Sequence, residues 1–444
     1  MTDNENGDVM RDIALKAKSM AQKLANLDTE TKNKLLLHIR DNIQKNRDRI
    51  SAANALDMTA ARQMVDAGTL TPPLLNRLDL SAVKIDQLST YLEQVAKLDD
   101  PVGKKQFAMK LAEDLELTRV SCPIGVVSII FESRPEVVIQ VTALSLKSGN
   151  VVILKGGTEA GNSNRLLFEL IDQVLETYHL KGAVNLIETR ADVANLLHLD
   201  DQIDLIIPRG SNDFVRYIQD NTKIPVLGHS SGICHLYLDK ACDPQKAIAV
   251  TLDSKLDYPS ACNAVETLLV HEETVEAVLP ELLAELKKAD VRLLGCEISL
   301  KIASSLQIEM EPASEEDWRT EYTDLILSIK VVSSLEEAVD HINFFGSHHT
   351  DSIITENGIA ADFFLKQVDS GCVFHNVSTR FSDGYVFGLG AEVGISTNKT
   401  HSRGPVGLEG MLIYKYLLTG NGQIRGAFSG KEALPFLHLP LPLD

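Results

Sequence analysis

The chain has 444 residues, 44% hydrophobic and 24% charged, with 43 Lys and Arg against 62 Asp and Glu for a formal charge of −19. So acidic a surface excludes a general nucleic-acid or anionic-membrane binder, and any anionic ligand must be met by local basic groups. The length exceeds what one core usually fills, so two or three domains are expected.

Six cysteines, at 122, 234, 242, 262, 296 and 372, show neither CxxC nor a paired zinc spacing. Reduced thiols in a cytoplasmic setting are expected, with no disulfide framework and no metal. The start, MTDNENGDVMRDIALKAK, lacks the basic and apolar regions of a signal peptide, and no apolar run reaches the ~20 residues of a bilayer span. Secretion and membrane spanning are therefore not expected.

In chain order, residues 10 to 66 carry a helical period; Leu35, Leu36, Ile39 and Ile43 share one face. GTLTPPLLNRL (68 to 78) breaks that block before a further helix to about Leu98. PIGVVSIIF (123 to 131) has the texture of a buried strand and ends in ESRP, after which Pro135 opens a helix that Gly149 caps. NVVILK, AVNLIE and QIDLII continue as strands alternating with helices, the signature of βαβ units and a parallel sheet. The alternation restarts near residue 234 with CHLYLD, a helix through PQKAIAVTLDS, and AVETLLV. A Gly-rich, cationic loop (387 to 407) precedes the strand MLIYKYLL (411 to 418), and the end, LPFLHLPLPLD, reads as an irregular tail.

Two strand ends have the form of nucleotide turns. Lys155 with Gly156 in VVILKGGTEAGNSN, and Gly210 with Ser211 in IIPRGSND, sit where doubly wound sheets bind ligands, and the helix opening after Ser211 offers free N–H groups to a phosphate. Neither is a GxGxxG; Lys155 in place of an acidic ribose ligand tolerates the 2′-phosphate of NADP.

Cys262 sits in a Pro, Ser, Ala and Asn loop, KLDYPSACNAVETLLVH, just before an apolar run. Spacing leaves two readings, a small partly buried residue or a displayed thiolate nucleophile. His375, Asp257 and His229 have no position relative to it in sequence. Arg134 and Arg380, in loops beside strands, are candidates to hold substrate anions. His348 and His349 point to opposite faces if extended, so they are no metal pair.

CPIGVVSIIFESRPEV, LKGGTEAGNSN, the cysteine loop, LEEAVDHINFFGSHHTDSI and RFSDGYVFGLGAEVGISTNKTHSRGPVGLEG together resemble the gamma-glutamyl phosphate reductases, a family of the aldehyde dehydrogenase superfamily. The likeness runs from about residue 10 to about 426. It implies an α/β, aldehyde-dehydrogenase-like fold of two Rossmann-type domains plus a small oligomerisation β-arm. The expected division is 1–105 and 125–233 for NADP binding, 234–404 for a catalytic domain carrying Cys262, and 106–124 with 405–444 for the arm and tail. It further implies reduction of L-glutamyl 5-phosphate by NADPH to the 5-semialdehyde through a thioester on Cys262, in proline biosynthesis. Lys155, Gly156, Gly210 and Ser211 fall on cofactor positions; Ser133, Arg134, Asn263 and Arg380 are the substrate or oxyanion candidates. A homo-oligomer, a dimer or dimer of dimers, follows by analogy, with the upstream glutamate 5-kinase as a further partner. Ordinary aldehyde dehydrogenases carry a water-activating glutamate in a Glu-Leu-Gly-Gly stretch. Here that stretch is VLGHSSGICH, without a carboxylate, which suits transfer of the acyl group to hydride rather than to water.

Overall fold

The structure is a computed structural model that describes residues 3–210, 212–228, 231–390 and 392–443. Five helices lead: α1 (Asp3–Leu24), α2 (Thr29–Lys45), α3 (Arg47–Asp66), α4 (Pro72–Leu78) and α5 (Ala82–Lys97). The segment expected to break the helical block therefore holds a short helix, with two prolines at its first positions, where a missing N–H costs nothing. Leu35, Leu36, Ile39 and Ile43 of α2 are fully buried, as their spacing requires.

After the hairpin β1 (Lys105–Ala112) and β2 (Leu115–Pro123) come β3 (Val126–Phe131), α6 (Val137–Lys147), β4 (Val151–Lys155), α7 (Gly161–Thr177), β5 (Val184–Ile187), α8 (Arg190–Leu196), β6 (Leu205–Arg209) and α9 (Asn212–Asp220). Pro135 does not open α6: Arg134 to Glu136 form a turn, and the helix begins at Val137. Strands β5-β4-β3-β6 form a parallel sheet in that order. The chain steps outward from β3 to β5 and then returns to the far side of β3 for β6, so the loops after β3, β4 and β6 gather at a topological switch point. Val126, Val127, Ile129 and Ile130 of β3 are at most 1% exposed, because helices cover both faces of this sheet.

The second unit comprises β7 (Cys234–Leu238), α10 (Pro244–Leu256), β8 (Val265–His271), α11 (Val275–Lys288), β9 (Arg292–Gly295), α12 (Glu297–Ser305), β10 (Glu311–Pro312), β11 (Ile326–Val332), α13 (Leu335–Phe345), β12 (Thr350–Ile354), α14 (Gly358–Gln367) and β13 (Cys372–His375). Its seven strands, in the order β10-β9-β11-β8-β7-β12-β13, are all parallel. β14 (Ile395–Ser396) pairs with β15 (Gly404–Pro405), and the flanking Val393, Val406, Leu408 and Met411 pack into the core of the first sheet.

A third sheet, antiparallel, joins β16 (Leu412–Thr419), β2, β1 and β17 (Leu439–Pro440) in that order. The tail is therefore not wholly irregular. Leu437 N–H donates to Leu111 O at 2.8 Å and Leu441 N–H to Ala108 O at 3.0 Å, which seals the β1 edge. Pro440 sits in that strand at the sheet's edge, where a proline is tolerated. Beyond its first residue β16 is exposed throughout, displaying Ile413, Tyr414, Tyr416, Leu417 and Leu418.

Among the described residues no helix is long and apolar enough to cross a membrane, and no group of three or more His, Cys, Asp or Glu could hold a metal.

Candidate active site

The cysteine loop spans the gap between α10 and β8, at the amino edge of the seven-stranded sheet. Its ends are joined beneath it: Lys255 Nζ donates to Glu266 Oε2 at 2.6 Å and to Val265 O at 3.0 Å, and both charged side chains are 0% exposed. Burial pushes the Glu266 carboxyl up to about 7 despite the pull of Lys255. Within the loop, Ala261 N–H donates to Tyr258 O and Ala264 N–H to Ala261 O, each at 3.0 Å. Cys262 itself is half-buried, and the thiol of fully buried Cys234 donates to its carbonyl at 3.3 Å.

Gly232 lies directly against this backbone. A Cβ there would overlap the Cys262 carbonyl oxygen and stand 2.7 Å from its carbonyl carbon and Cα, so only glycine fits. Gly232→Ala is expected to displace Cys262 and, if the thiol reacts, lower kcat about 10²-fold, because misplacement near 1 Å costs that much. Steady-state rates with a parallel nucleotide titration check this; an unchanged kcat would show that the loop yields without consequence.

Asn263, 5% exposed, turns away from the loop tip and donates to Ser382 O at 2.9 Å and Arg380 O at 3.4 Å, while its Oδ1 has no partner among the described residues. It thereby fixes the Arg380 segment beside the cysteine. The Arg380 Nε donates to Asp257 Oδ2 at 3.1 Å, and its guanidinium stands 5.9 Å from the Tyr258 ring centre. His375 is turned elsewhere, with Nε2 2.9 Å from Thr355 O.

The carboxyl edge of the first sheet meets this loop. Ser133, at a φ of +48°, is tied by its N–H and hydroxyl to Glu159 at 2.6 and 2.7 Å. Its hydroxyl thus bonds the loop after β4, and Arg134 follows it. Burial, then the charges of Arg209 and Arg77, push the Arg134 guanidinium down to about 10. Tyr258 is held below the usual tyrosine range by its bond with Ser260, then by a bond from Arg77 and the charges of Arg77 and Arg134. Glu392 lies in the field of both Arg209 and Cys262; burial raises its carboxyl, against a 2.8 Å bond from Gly384 N–H. Arg77, Arg209, Glu392 and Gly232 were missed in sequence.

Past the ends of β4 and β5, a cavity of about 440 Å³ is lined by Gly156, Gly157, Thr158, Gly161, Asn164, Arg165, Leu186, Ile187, Glu188 and Thr189. A Cβ at Gly156 would overlap the Asn164 amide and reach 3.1 Å from Phe131, so the turn is closed to side chains there. Asn164 Oδ1 is buried without a partner among the described residues. The cavity size, the glycine cradle and this acceptor fit a dinucleotide. Lys155 ends β4 beside it. Glu188, just past β5, also lines the cavity, and its carboxylate accepts from the Arg165 Nε at 2.5 Å. Gly210 is at the end of β6, where a Cβ would stand 2.8 Å from Glu132 Oε2. Ser211 and His229 lie outside the described residues.

The aldehyde dehydrogenase family model matches residues 4–293. Gamma-glutamyl phosphate reductase of Methanosarcina mazei is 50% identical over 432 residues, 97% of this chain and 97% of that one. The enzyme of that name from Acetivibrio thermocellus is 51% identical over 414 residues, covering 93% and 94%. The chain belongs to the gamma-glutamyl phosphate reductases. The crystal structure of the family member from Thermotoga maritima superposes with a TM-score of 0.89 at 38% identity, covering 94% of this chain and 99% of that one. Membership makes this chain an aldehyde-dehydrogenase-type oxidoreductase, a class that uses NAD or NADP.

Proposed function

We propose that the chain reduces L-glutamyl 5-phosphate with NADPH to L-glutamate 5-semialdehyde and phosphate, the second step of proline synthesis from glutamate. The observation that carries this reading is the braced Cys262 loop lying against the arginines of the first sheet, on a chain so similar to named reductases.

In this reading the Cys262 thiolate attacks the C5 carbonyl carbon, and the carbon–oxygen bond to phosphate breaks. Phosphate leaves with the bonding electron pair and takes up a proton, and a thioester remains on Sγ. Bound NADPH supplies the hydride that reduces this thioester. The carbon–sulfur bond then breaks, its electrons return to Sγ, and the aldehyde is released. Lys155, Gly156, Gly210 and Ser211 would hold the dinucleotide, with Arg165, paired to Glu188 in the cavity wall, and Lys155 at the end of β4 favouring a 2′-phosphate that Glu188 alone would repel. The Cys262 backbone N–H and Arg134 would stabilise the developing oxyanion, while Ser133 and Asn263 fix the loops that carry Arg134 and Arg380. Arg380 and Asp257, a cation and an anion side by side, suit the amino acid end of the substrate.

The same reading divides the chain into 1–105 with 125–233 for the cofactor, 234–404 for catalysis, and 106–124 with 405–444 for an arm. That arm would extend a second copy's sheet in a homo-oligomer in the cytoplasm, with the upstream glutamate 5-kinase supplying the labile acyl phosphate. The test is the reverse reaction, in which semialdehyde, NADP and phosphate yield NADPH, repeated with NAD. A requirement for phosphate and faster turnover with NADP support the reading; indifference to both would remove it.

A further inference from the structure

Arg77, Arg134 and Arg209 come from three separate places in the chain: the last turn of α4, the turn after β3, and the end of β6. Each is held by its backbone. Buried Asn54 donates to Leu78 O at 2.7 Å and accepts from Leu80 N–H at 2.9 Å, clamping the chain just beyond Arg77. Glu132 N–H donates to Arg209 O at 3.2 Å, tying the turn that carries Arg134 to the strand that carries Arg209.

Among the described residues none of these three guanidinium groups makes a salt bridge within 4.0 Å. The acid whose charge acts on Arg134 is Glu136, whose carboxyl is itself pushed toward its neutral form by burial and whose Oε2 has no hydrogen-bond partner among the described residues. The Arg77 Nε is buried and also without a partner among the described residues. Phe131 of β3 lies in register with Arg209 of β6, so the turn that carries Arg134 stands beside Arg209, and the charges of Arg77 and Arg134 both act on Tyr258. Like charges brought together in this way repel one another unless an anion offsets them. A single carboxylate needs one guanidinium fork, whereas several convergent forks match a doubly charged tetrahedral oxyanion. On the reading above, the leaving phosphate is bonded to the carbon that Cys262 attacks, so its oxygens must lie beside the cysteine loop, where Tyr258 meets Arg77 and Arg134.

We propose that Arg77 and Arg134, backed by Arg209, form the phosphate subsite. They hold the phosphoryl group of the acyl phosphate as it departs and bind inorganic phosphate in the reverse direction. The inference rests on the acyl-phosphate reading and adds Arg77 and Arg209 to it. Phosphate bound here could belong to the substrate or to the nucleotide, so the test has an arm for each.

Alkylation of Cys262 by iodoacetamide is followed at its own peptide by mass spectrometry, with increasing inorganic phosphate, for wild type, Arg77→Gln and Arg77→Lys. NADP affinity is measured in parallel. Phosphate should slow alkylation in wild type; in Arg77→Gln the half-protecting concentration should rise at least tenfold, with NADP affinity within twofold of wild type, and Arg77→Lys should recover part of the loss. The phosphate KM of the reverse reaction should rise in step, with the semialdehyde KM unchanged. An unchanged half-protecting concentration in Arg77→Gln, or a loss of NADP affinity that parallels the loss of protection, overturns the assignment. Wild-type turnover that ignores phosphate would instead defeat the acyl-phosphate reading itself.

Discussion

Cys262→Ser should abolish NADPH-dependent reduction, leaving residual turnover below about 1% of wild type, while NADPH binds almost as before. Losing a thiolate nucleophile removes the covalent route and adds several kcal/mol to the barrier. The proposed cofactor cavity is lined by residues 156 to 189, none of them in the cysteine loop, so its affinity should not follow the loss of rate. The loop should keep its shape, because its bracing runs through backbone atoms and neighbouring side chains: the turn bonds of Ala261 and Ala264, the Gly232 contact and the Asn263 amide. Single-turnover measurements with enzyme in excess would show whether any hydride transfer survives; residual turnover above about 1% would sink the nucleophile assignment.

Lys255→Met is expected to cost stability more than any other single change considered above, by about 3–5 kcal/mol. The substitution removes a cation from a pair that is 0% exposed on both sides and leaves the Glu266 carboxyl, among the described residues, with the Thr323 N–H at 3.2 Å on its Oε1. The folded carboxyl already holds its proton up to about 7, above the value of an unfolded glutamate. A raised acid pKa means that the native state binds more protons than the unfolded state over that window. This group's contribution is therefore present at low pH and lost as pH rises through 7. Without Lys255 that penalty deepens, so the destabilisation should be larger at pH 8 than at pH 5.5. Urea unfolding at the two pH values measures it, and Lys255→Met with Glu266→Leu should recover much of the loss, because no buried charge then remains. A single variant within about 1 kcal/mol of wild type at pH 8 would mean that the pair does not brace the loop.

Legibility in the sequence followed the range of the interaction. The parallel sheets were readable because their strands are continuous apolar runs, a consequence of burial on both faces, and because helices of regular period separate them. Cys262 could be singled out because a polar turn between a helix and a strand is a local feature. Gly232 could not, since what makes it glycine is the backbone of a residue 30 positions later. Arg77 was hidden in a stretch whose Thr-Pro-Pro read as a break, although prolines at the first positions of a helix are also a start signal. Arg209 stood beside Gly210, and the glycine turn drew the functional reading. Lys255 and Glu266 are residue types almost never fully buried, so a single sequence assigns them to the surface. The tail carries prolines that argue against a central strand and are allowed at an edge, and only the position of β1 decides between a strand and a coil.

The central claim is that a thioester on Cys262 is exchanged with phosphate rather than with water. The most direct test follows absorbance at 340 nm while wild-type protein is given glutamate 5-semialdehyde and NADP, with and without inorganic phosphate. NADPH formation that requires phosphate is the predicted result. Equal rates without phosphate would contradict the account, because water would then be resolving the thioester and the chain would act as an oxidative aldehyde dehydrogenase.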